Sequence, residues 1–318
     1  MSERYSATLL TDSTYALATI VTANEIAKTN LFERIEIFLF PPFENLTFFQ
    51  ALYNIACFQG VQLSIKNIPY LPYKGIVIGC HFNDTVMAKL VTPYAQENNI
   101  SMFIDSGFWI VNQAKAKRYL TNILEEFSAS RKPIGAIATS SDNNELNRIS
   151  AALILWNKRS LTEINFLNRS IEAFNKLRSE QKLRFPEQDI LQQILTPDEV
   201  FILDTNRHWS TMNLDQKFQH PSSQEAPKPD SEKPLFKFTG HFKPWITILL
   251  NPLKKLFLDK VSETGREIKI DLIHCFEFYD HRQNALREFH DKQDILHCNL
   301  DNKNAIIEQL KYIDFLAK

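Results

Sequence analysis

The first 68 residues constrain the fold most, because strand-like and helix-like segments alternate there at short, regular intervals. Buried strands are predicted at ATLLT (7–11), IEIFLF (35–40) and VQLSIKNI (61–68). Helices are predicted at 15–28 and at LTFFQALYNIACFQG (46–60), which Gly60 ends. Strands joined through helices at these lengths are typical of a largely parallel sheet with helices on its faces. The sequence therefore predicts an α/β fold.

The same kind of pattern continues to about residue 217, which we take as the end of the core domain. Further strands are predicted at 101–105, 134–140 and 149–157, and further helices at 85–97, 114–130, 160–180 and 185–195. The helix at 160–180 is expected to begin with a capping box formed by Ser160 and Glu163, and the one at 185–195 at Pro186. Residues 218–234 are rich in Pro, Ser and charge and are predicted to form a mobile loop or linker.

Composition excludes some classes of function. The 318 residues are 44% hydrophobic, enough for a sizeable core, and the net charge of −1 gives no positive field for nucleic acid. With only 7 glycines, neither the G-x-G-x-x-G fingerprint nor a P-loop is present, so a bound nucleotide must be held in another way. No signal peptide or membrane span is evident, and the four cysteines are far apart. We expect a cytoplasmic protein with reduced thiols, at most peripheral to the inner face of a membrane.

Five segments then occur in a characteristic order. They are TLLTDSTY (8–15), TVMAKLVTPYAQENNISMFIDSG (85–107), ISAALILWN (149–157), FPEQDIL (185–191) and FKFTGHFKPW (236–245). This series resembles the family 8 glycosyltransferases, retaining enzymes of the GT-A fold that commonly use UDP-hexoses. The resemblance covers about residues 7–247. It implies a GT-A-like mixed, mostly parallel sheet over 1–217, a core-closing segment over 235–250, and a mainly helical C-terminal extension over 251–318.

The resemblance also implies roles for particular residues. Asp12, with Leu10 and Thr14, would hold the uracil and ribose at the end of the first strand, where open α/β sheets bind ligands. Other positions would contact the donor, the acceptor or the leaving diphosphate. They are Lys89 and Ser150, which replace the family's Arg and Asn; Gln188 and Asp189, facing donor sugar and acceptor; and Gly240 and Lys243, at the terminal phosphate.

The stretch MFIDSGFWIV (102–111) departs from the family's metal motif. Asp105 would be the first acid, but the second is Gly107, and the family's metal-binding His is Lys237. Asp105 is thus the only retained candidate ligand, and one aspartate is a poor anchor for Mg²⁺ or Mn²⁺. We therefore expect no metal cofactor, or Mn²⁺ or Mg²⁺ if the family's dependence survives. Lys237 and Lys243 would neutralise the leaving diphosphate, and Asp105 could orient Lys237 by an ion pair.

Two functions remain open at this point. One is transfer of a hexose from a UDP-sugar to a saccharide or glycolipid acceptor, as in cell-surface glycan or lipopolysaccharide assembly. The other is a catalytically inactive relative that serves as a binding or assembly subunit, because the same substitutions would also accompany lost catalysis. Structural interpretations compete at single residues: Asp105 as a turn residue, Asp12 as a helix N-cap, and Gln188 and Asp189 as the polar face of a helix.

Two C-terminal features have weaker functional interpretations. A His/Cys cluster could bind zinc, but its spacing does not match a structural zinc site, and buried His and core Cys are favoured. Its members are His274, Cys275, His281, His290, His297 and Cys298.

Segment 245–261 places Lys254, Lys255 and Lys260 among bulky apolar residues. Such a helix could lie on an anionic membrane, although a packed helix with one wet face is commoner and Pro252 interrupts the run.

Overall fold

The architecture is a mixed, mostly parallel sheet flanked by helices, as the sequence predicted. The computed structural model describes residues 5–68, 71–73, 77–78, 82–140, 146–203, 209–213, 233–239 and 251–275. Its strands are β1 (Tyr5–Thr11), β2 (Arg34–Leu39), β3 (Gln62–Asn67), β4 (Val77–Ile78), β5 (Phe82–Asn83), β6 (Ile100–Ile104), β7 (Phe108–Ile110), β8 (Ile134–Ser140), β9 (Leu146–Asn157), β10 (Val200–Ile202), β11 (Trp209–Asn213) and β12 (Leu235–Thr239).

Helices cover both faces of the sheet. They are α1 (Ala16–Ala27), α2 (Leu46–Gln59), α3 (Asp84–Ala88), α4 (Thr92–Ala95), α5 (Gln113–Ser130), α6 (Lys158–Glu163), α7 (Phe166–Ser179), α8 (Pro186–Ile194), α9 (Asn251–Ile268) and α10 (Leu272–Cys275), with a 3₁₀ turn at Pro197–Glu199. One apolar layer includes α1, α2, α5 and α9. The other includes α3, α7 and α8. Alternate residues of β1 supply the two layers, since Leu9 faces the first and Leu10 the second.

The main sheet has seven strands in the order β10-β8-β9-β6-β1-β2-β3. Strand β9 is antiparallel to both of its neighbours, β6 and β8, and the other pairings are parallel. A second sheet of three strands has the order β11-β12-β7. In it β12 pairs antiparallel with β7, with Lys237 opposite Phe108. The small sheet thus brings the segment around Lys237 to the carboxyl ends of the parallel strands of the main sheet, beside the end of β6.

Two predicted helices are each divided in the structure. The helix predicted at 85–97 is α3 and α4, separated by a turn, and Pro93 occupies the first turn of α4, where its missing N–H costs nothing. The helix predicted at 160–180 is α6 and α7. Ser160 is not its N-cap: the side chain of Asn157 accepts the Ser160 N–H and begins α6, and Asn165, with φ of 53°, precedes α7.

The described part of the C-terminal extension packs into the core rather than presenting an apolar face. Phe257 and Val261 of α9 are fully buried, and the Phe257 ring stacks on Trp109 at a centroid distance of 6.4 Å. The Lys260 ammonium lies 2.9 Å from buried Glu25 of α1. Over 255–261 the described side chains therefore fit the packed-helix interpretation, and the membrane contact of 245–261 stays a prediction; residues 245–250 lie outside the described residues. Within the described residues, none of the helices has the length and apolar character needed to cross a bilayer.

Candidate functional site

The candidate site lies where the carboxyl ends of two neighbouring parallel strands meet. Strands β1 and β6 pair in the register Thr8 to Phe103, so Asp12 and Asp105 follow the ends of adjacent strands. This is the edge at which open α/β sheets bind ligands. The backbone of Asp105 is fixed there, because its N–H donates to the Ala152 carbonyl of β9 at 2.9 Å.

Asp105, whose side chain is 24% exposed, is the centre of a network of four charged side chains, and the other three are buried. One carboxylate oxygen, Oδ2, lies 2.6 Å from the Lys237 ammonium, and the other, Oδ1, lies 2.8 Å from that of Lys89. Lys89 in turn lies 3.3 Å from Glu187 Oε1. The predicted ion pair between Lys237 and Asp105 is therefore present, with a second lysine on the opposite oxygen.

Each member of this network comes from a different element. Lys237 lies on β12, and its position follows from the pairing of that strand with β7. Lys89 follows α3, and Glu187 lies in the first turn of α8, where the helix dipole favours a carboxylate. Aromatic rings support both cations, since Nζ of Lys89 is 5.6 Å from the Phe103 centroid and Nζ of Lys237 is 5.4 Å from that of Phe108.

The two lysines differ in how strongly their charge is held. Burial alone would lower the pKa of Lys89, but the attraction of Asp105 and Glu187 outweighs it and raises that pKa above its ordinary value. Burial lowers the pKa of Lys237, and repulsion from Lys89 lowers it further. Its one carboxylate partner, Asp105, raises this pKa but does not offset the two effects. Burial would raise the pKa of Asp105, but Lys237 and Lys89 lower it to about 2. Asp105 is thus ionised at neutral pH.

This donor set does not fit a divalent metal ion. Mg²⁺ and Mn²⁺ need several oxygen or nitrogen ligands, chiefly carboxylates. Here both oxygens of Asp105 already accept ammonium groups. In the described part of the chain, nowhere do three His, Cys, Asp or Glu side chains converge as a metal site would require. Two ammonium groups against two carboxylates do, however, give the same formal charge balance as one divalent ion against two carboxylates.

The residues expected at the uracil and ribose lie close to Asp105. Leu10 is near the end of β1, and its carbonyl accepts a hydrogen bond from the Ser106 hydroxyl at 3.4 Å. The Asp12 carboxylate accepts the Tyr15 N–H at 3.0 Å, and burial raises the pKa of Asp12. The N-cap of α1 is Tyr15, so Asp12 is not the N-cap that the structural interpretation expected, and its carboxylate instead stabilises the turn before the helix. Thr14 is exposed in the turn that follows. What these residues bind stays a prediction.

Ser150 is also at this edge, whereas Gln188 and Asp189 are on α8. Ser150 lies in β9 two residues before Ala152, the residue that accepts the Asp105 N–H, and is partly buried. Gln188 is partly buried as well. The Asp189 carboxylate accepts the N–H groups of Arg184 and Phe185 at 2.6 and 2.8 Å, so it stabilises the entry to its own helix.

Several sequence predictions lie outside the described residues. Gly240, Lys243 and nearly all of the linker predicted at 218–234 are among them. Of the His/Cys cluster, His274 is exposed in α10, so the buried position favoured for it is wrong; Cys275 ends that helix, and the other four members lie outside the described residues.

Glu187 is the network member that was not predicted from the sequence. Its signal was present in the helical pattern. Ile190, Leu191 and Ile194 form the buried stripe of α8, and residue 187 continues that stripe by one turn. A carboxylate at such a position must be paired with a cation or remain protonated. Glu187 is 2% exposed, and its Oε2 has no hydrogen-bond partner among the described residues.

Comparison with known proteins supports the fold. No family model matches the sequence, and no curated protein matches it. Among solved structures, the chain is similar to the galactosyltransferase LgtC in complex with donor and acceptor sugar analogs. The TM-score is 0.57 at 13% identity, over 81% of this chain and 95% of that one.

Two further solved structures are similar to a comparable degree. The glycosyltransferase GlyE of Streptococcus pneumoniae TIGR4 has a TM-score of 0.58 at 14% identity, over 84% of this chain and 63% of that one. The bifunctional glycosyltransferase WbbM has a TM-score of 0.57 at 13% identity, over 89% and 52%. The chain thus spans nearly the whole of LgtC, less than two thirds of GlyE and about half of WbbM. At these identities the likeness shows a GT-A-like α/β fold.

Proposed function

We propose that this protein is a glycosyltransferase that moves a hexose from a UDP-sugar to a saccharide or glycolipid acceptor, with retained configuration and without a divalent metal. The observation that carries the proposal is the Lys89–Asp105–Lys237 arrangement at the carboxyl edge of the sheet, with ammonium groups 2.8 and 2.6 Å from the two oxygens of Asp105. The similarity to LgtC, crystallised with donor and acceptor sugar analogs, supports both classes of substrate.

In this proposal the two ammonium groups stabilise the leaving diphosphate. When the bond between the sugar and the diphosphate breaks, negative charge develops on the departing phosphate oxygen, and fixed cations in a site with little water lower the energy of that state. Lys89 and Lys237 are buried and held beside this position by Asp105, so both cations would be in place before the bond breaks. Lys243 and Gly240 would complete the contact with the terminal phosphate, as the family resemblance implies.

The roles of the remaining site residues follow from where those residues lie around this network. Asp12, Leu10 and Thr14 would hold the uracil and ribose beyond the end of β1. Ser150 would contact the donor from β9, and Gln188 would face the donor sugar and the acceptor from α8. Asp189 would act with Gln188, although its carboxylate also accepts two backbone N–H groups.

Release of UDP tests this proposal directly. The purified protein is mixed with UDP-glucose or UDP-galactose and an oligosaccharide acceptor, with Mn²⁺ or with excess chelator. We expect UDP to be released at similar rates in both mixtures, and Lys237→Met to abolish release. Activity that appears only with Mn²⁺ would refute the metal-independent mechanism.

A second candidate function is a binding or assembly subunit that keeps the fold without catalysis. A specific observation favours it: carboxylates placed to handle substrate are already engaged, Asp105 by two lysines and Asp189 by two N–H groups. Calorimetry with UDP-sugars separates the candidates. Saturable binding without UDP release, across several acceptors, supports the subunit, whereas release supports the enzyme.

A further inference from the structure

A cluster of hydroxyl groups lies behind the turn that connects Asp105 to β7. Thr22 of α1 is fully buried, and its hydroxyl makes two hydrogen bonds to this turn. It accepts the Gly107 N–H at 3.0 Å and donates to the Phe108 carbonyl at 3.1 Å. One side chain therefore satisfies both a donor and an acceptor of the turn backbone, neither of which water can reach.

A second threonine of the same helix contacts the same turn. The hydroxyls of Thr19 and Ser106 lie 2.7 Å apart, and Ser106 also reaches the Leu10 carbonyl of β1. Thr19 itself donates to the Tyr15 carbonyl one helical turn earlier, so it is also satisfied within α1. Thr22 differs because its two contacts are to consecutive residues of the turn itself.

The conformation of this turn decides whether Asp105 and Lys237 meet. Gly107 has φ of 93°, a left-handed conformation, in the turn that connects β6 to β7. Phe108 then begins β7 and stands opposite Lys237 in the antiparallel pairing with β12. Asp105 precedes the turn and the partner strand of Lys237 follows it, so a rotation of the turn separates the carboxylate from the ammonium.

We propose that Thr22 is a positioning residue for the Asp105–Lys237 pair, acting through the backbone of Gly107 and Phe108. The inference rests on the proposed function only for its consequence, the binding of a diphosphate. Its structural part stands on the hydrogen bonds of the Thr22 hydroxyl alone. Thr22→Val removes that hydroxyl with almost no change of volume, and Thr22→Ser retains it.

Thr264 of α9 supplies a matched control. It is a fully buried helical threonine whose hydroxyl has no partner among the described residues. Thr264→Val is therefore the same chemical change, without hydrogen bonds to lose. Any effect that Thr22→Val shares with Thr264→Val comes from the substitution itself and not from the turn.

The test measures how fast the Lys237 amine reacts with acetic anhydride, followed by peptide mass spectrometry. The reference is the rate of Lys66, whose ammonium pairs with Glu36 on another part of the sheet. We expect Thr22→Val to raise the relative rate by about fivefold, the factor that corresponds to about 1 kcal/mol for one buried hydrogen bond. Thr22→Ser and Thr264→Val should leave it unchanged. Lys66, whose side chain is 29% exposed, corrects for differences in labelling, and Thr264→Val corrects for what the substitution itself does to stability.

Calorimetry with UDP adds the functional readout. We expect Thr22→Val to weaken UDP binding by a similar factor, and Thr22→Ser to restore it. An unchanged Lys237 rate in Thr22→Val overturns the inference. If wild-type protein binds no UDP, the proposed function fails while the labelling ratio still decides the role of Thr22. Should Thr22→Val not fold, Thr22→Ala removes the same hydroxyl without adding a methyl group and carries the comparison.

Discussion

Removing the Asp105 carboxylate is the sharpest perturbation of the candidate site. In Asp105→Asn the side chain keeps its shape, but Lys237 loses the carboxylate at 2.6 Å, and Lys89 retains only Glu187 at 3.3 Å. The lysine side chains are 9% and 11% exposed, so water cannot take over the lost interaction. A buried charge left without its partner costs about 3–5 kcal/mol. We expect a loss of that size in the free energy of unfolding at neutral pH.

Lys237→Met should cost less, because Asp105 keeps its contact with Lys89 at 2.8 Å. We expect about 1.5–3 kcal/mol, the range for one charge-assisted hydrogen bond. In the double variant, Asp105→Asn with Lys237→Met, no isolated charge remains at position 237. Its loss should therefore be smaller than the sum of the single losses by at least about 1 kcal/mol.

Urea unfolding followed by tryptophan fluorescence measures this cycle. The exposed pair Lys255–Asp259, whose side chains are 71% and 62% exposed, is the control, and its cycle should be additive within error. Additivity within about 0.5 kcal/mol for Asp105 and Lys237 would refute the reasoning. It would mean that the two charges are not coupled in solution, and the proposed cation centre would lose its basis.

Three further predictions address pH, charge and the C-terminal helix. The pKa of Asp105 falls from 3.8 to about 2 on folding, so its contribution is present above about pH 4 and lost as the pH falls toward 2. At about 1.36 kcal/mol per pKa unit this is about 2 kcal/mol, and acid titration of unfolding should show it in wild type but not in Asp105→Asn. Glu187→Gln raises the net charge of the network from zero to one, so UDP should bind more tightly by calorimetry, most clearly at low salt; weaker binding would contradict the charge argument. Lys260→Met leaves buried Glu25 with Lys28 at 3.2 Å, which should lower stability in urea without changing UDP affinity.

Much of the fold was predictable because its signals are local. The alternation of apolar runs identified β1, β2 and β3 and the helices between them, and Gly60 ends α2 with φ of 66° as expected. The divided helices show where local signals compete. Pro93 fits the start of a second helix better than the interior of one, and Asn157 begins α6 ahead of the capping box read at Ser160.

The candidate site was predictable only in part, because its assembly depends on contacts between distant residues. Asp105 and Lys237 are 132 positions apart and meet through the pairing of β7 with β12, for which neither strand carries a sequence signal of its own. Their pairing was expected only through the family resemblance. Glu187 carried a local signal, a charge on the buried stripe of α8, but its partner Lys89 lies 98 positions away.

Lys89 and Lys237 are paired with different numbers of carboxylates, and this difference affects how the site could work. Lys89 contacts two carboxylates and Lys237 one, and their pKa values shift in opposite directions. In the proposed function, a diphosphate would therefore compete for Lys237 more easily than for Lys89. If Lys237 turned to the phosphate, Asp105 would still be neutralised by Lys89 and would not be left unpaired. A binding subunit needs this exchange only once, whereas an enzyme must reverse it after every transfer. The two proposed functions therefore predict different rates of UDP release.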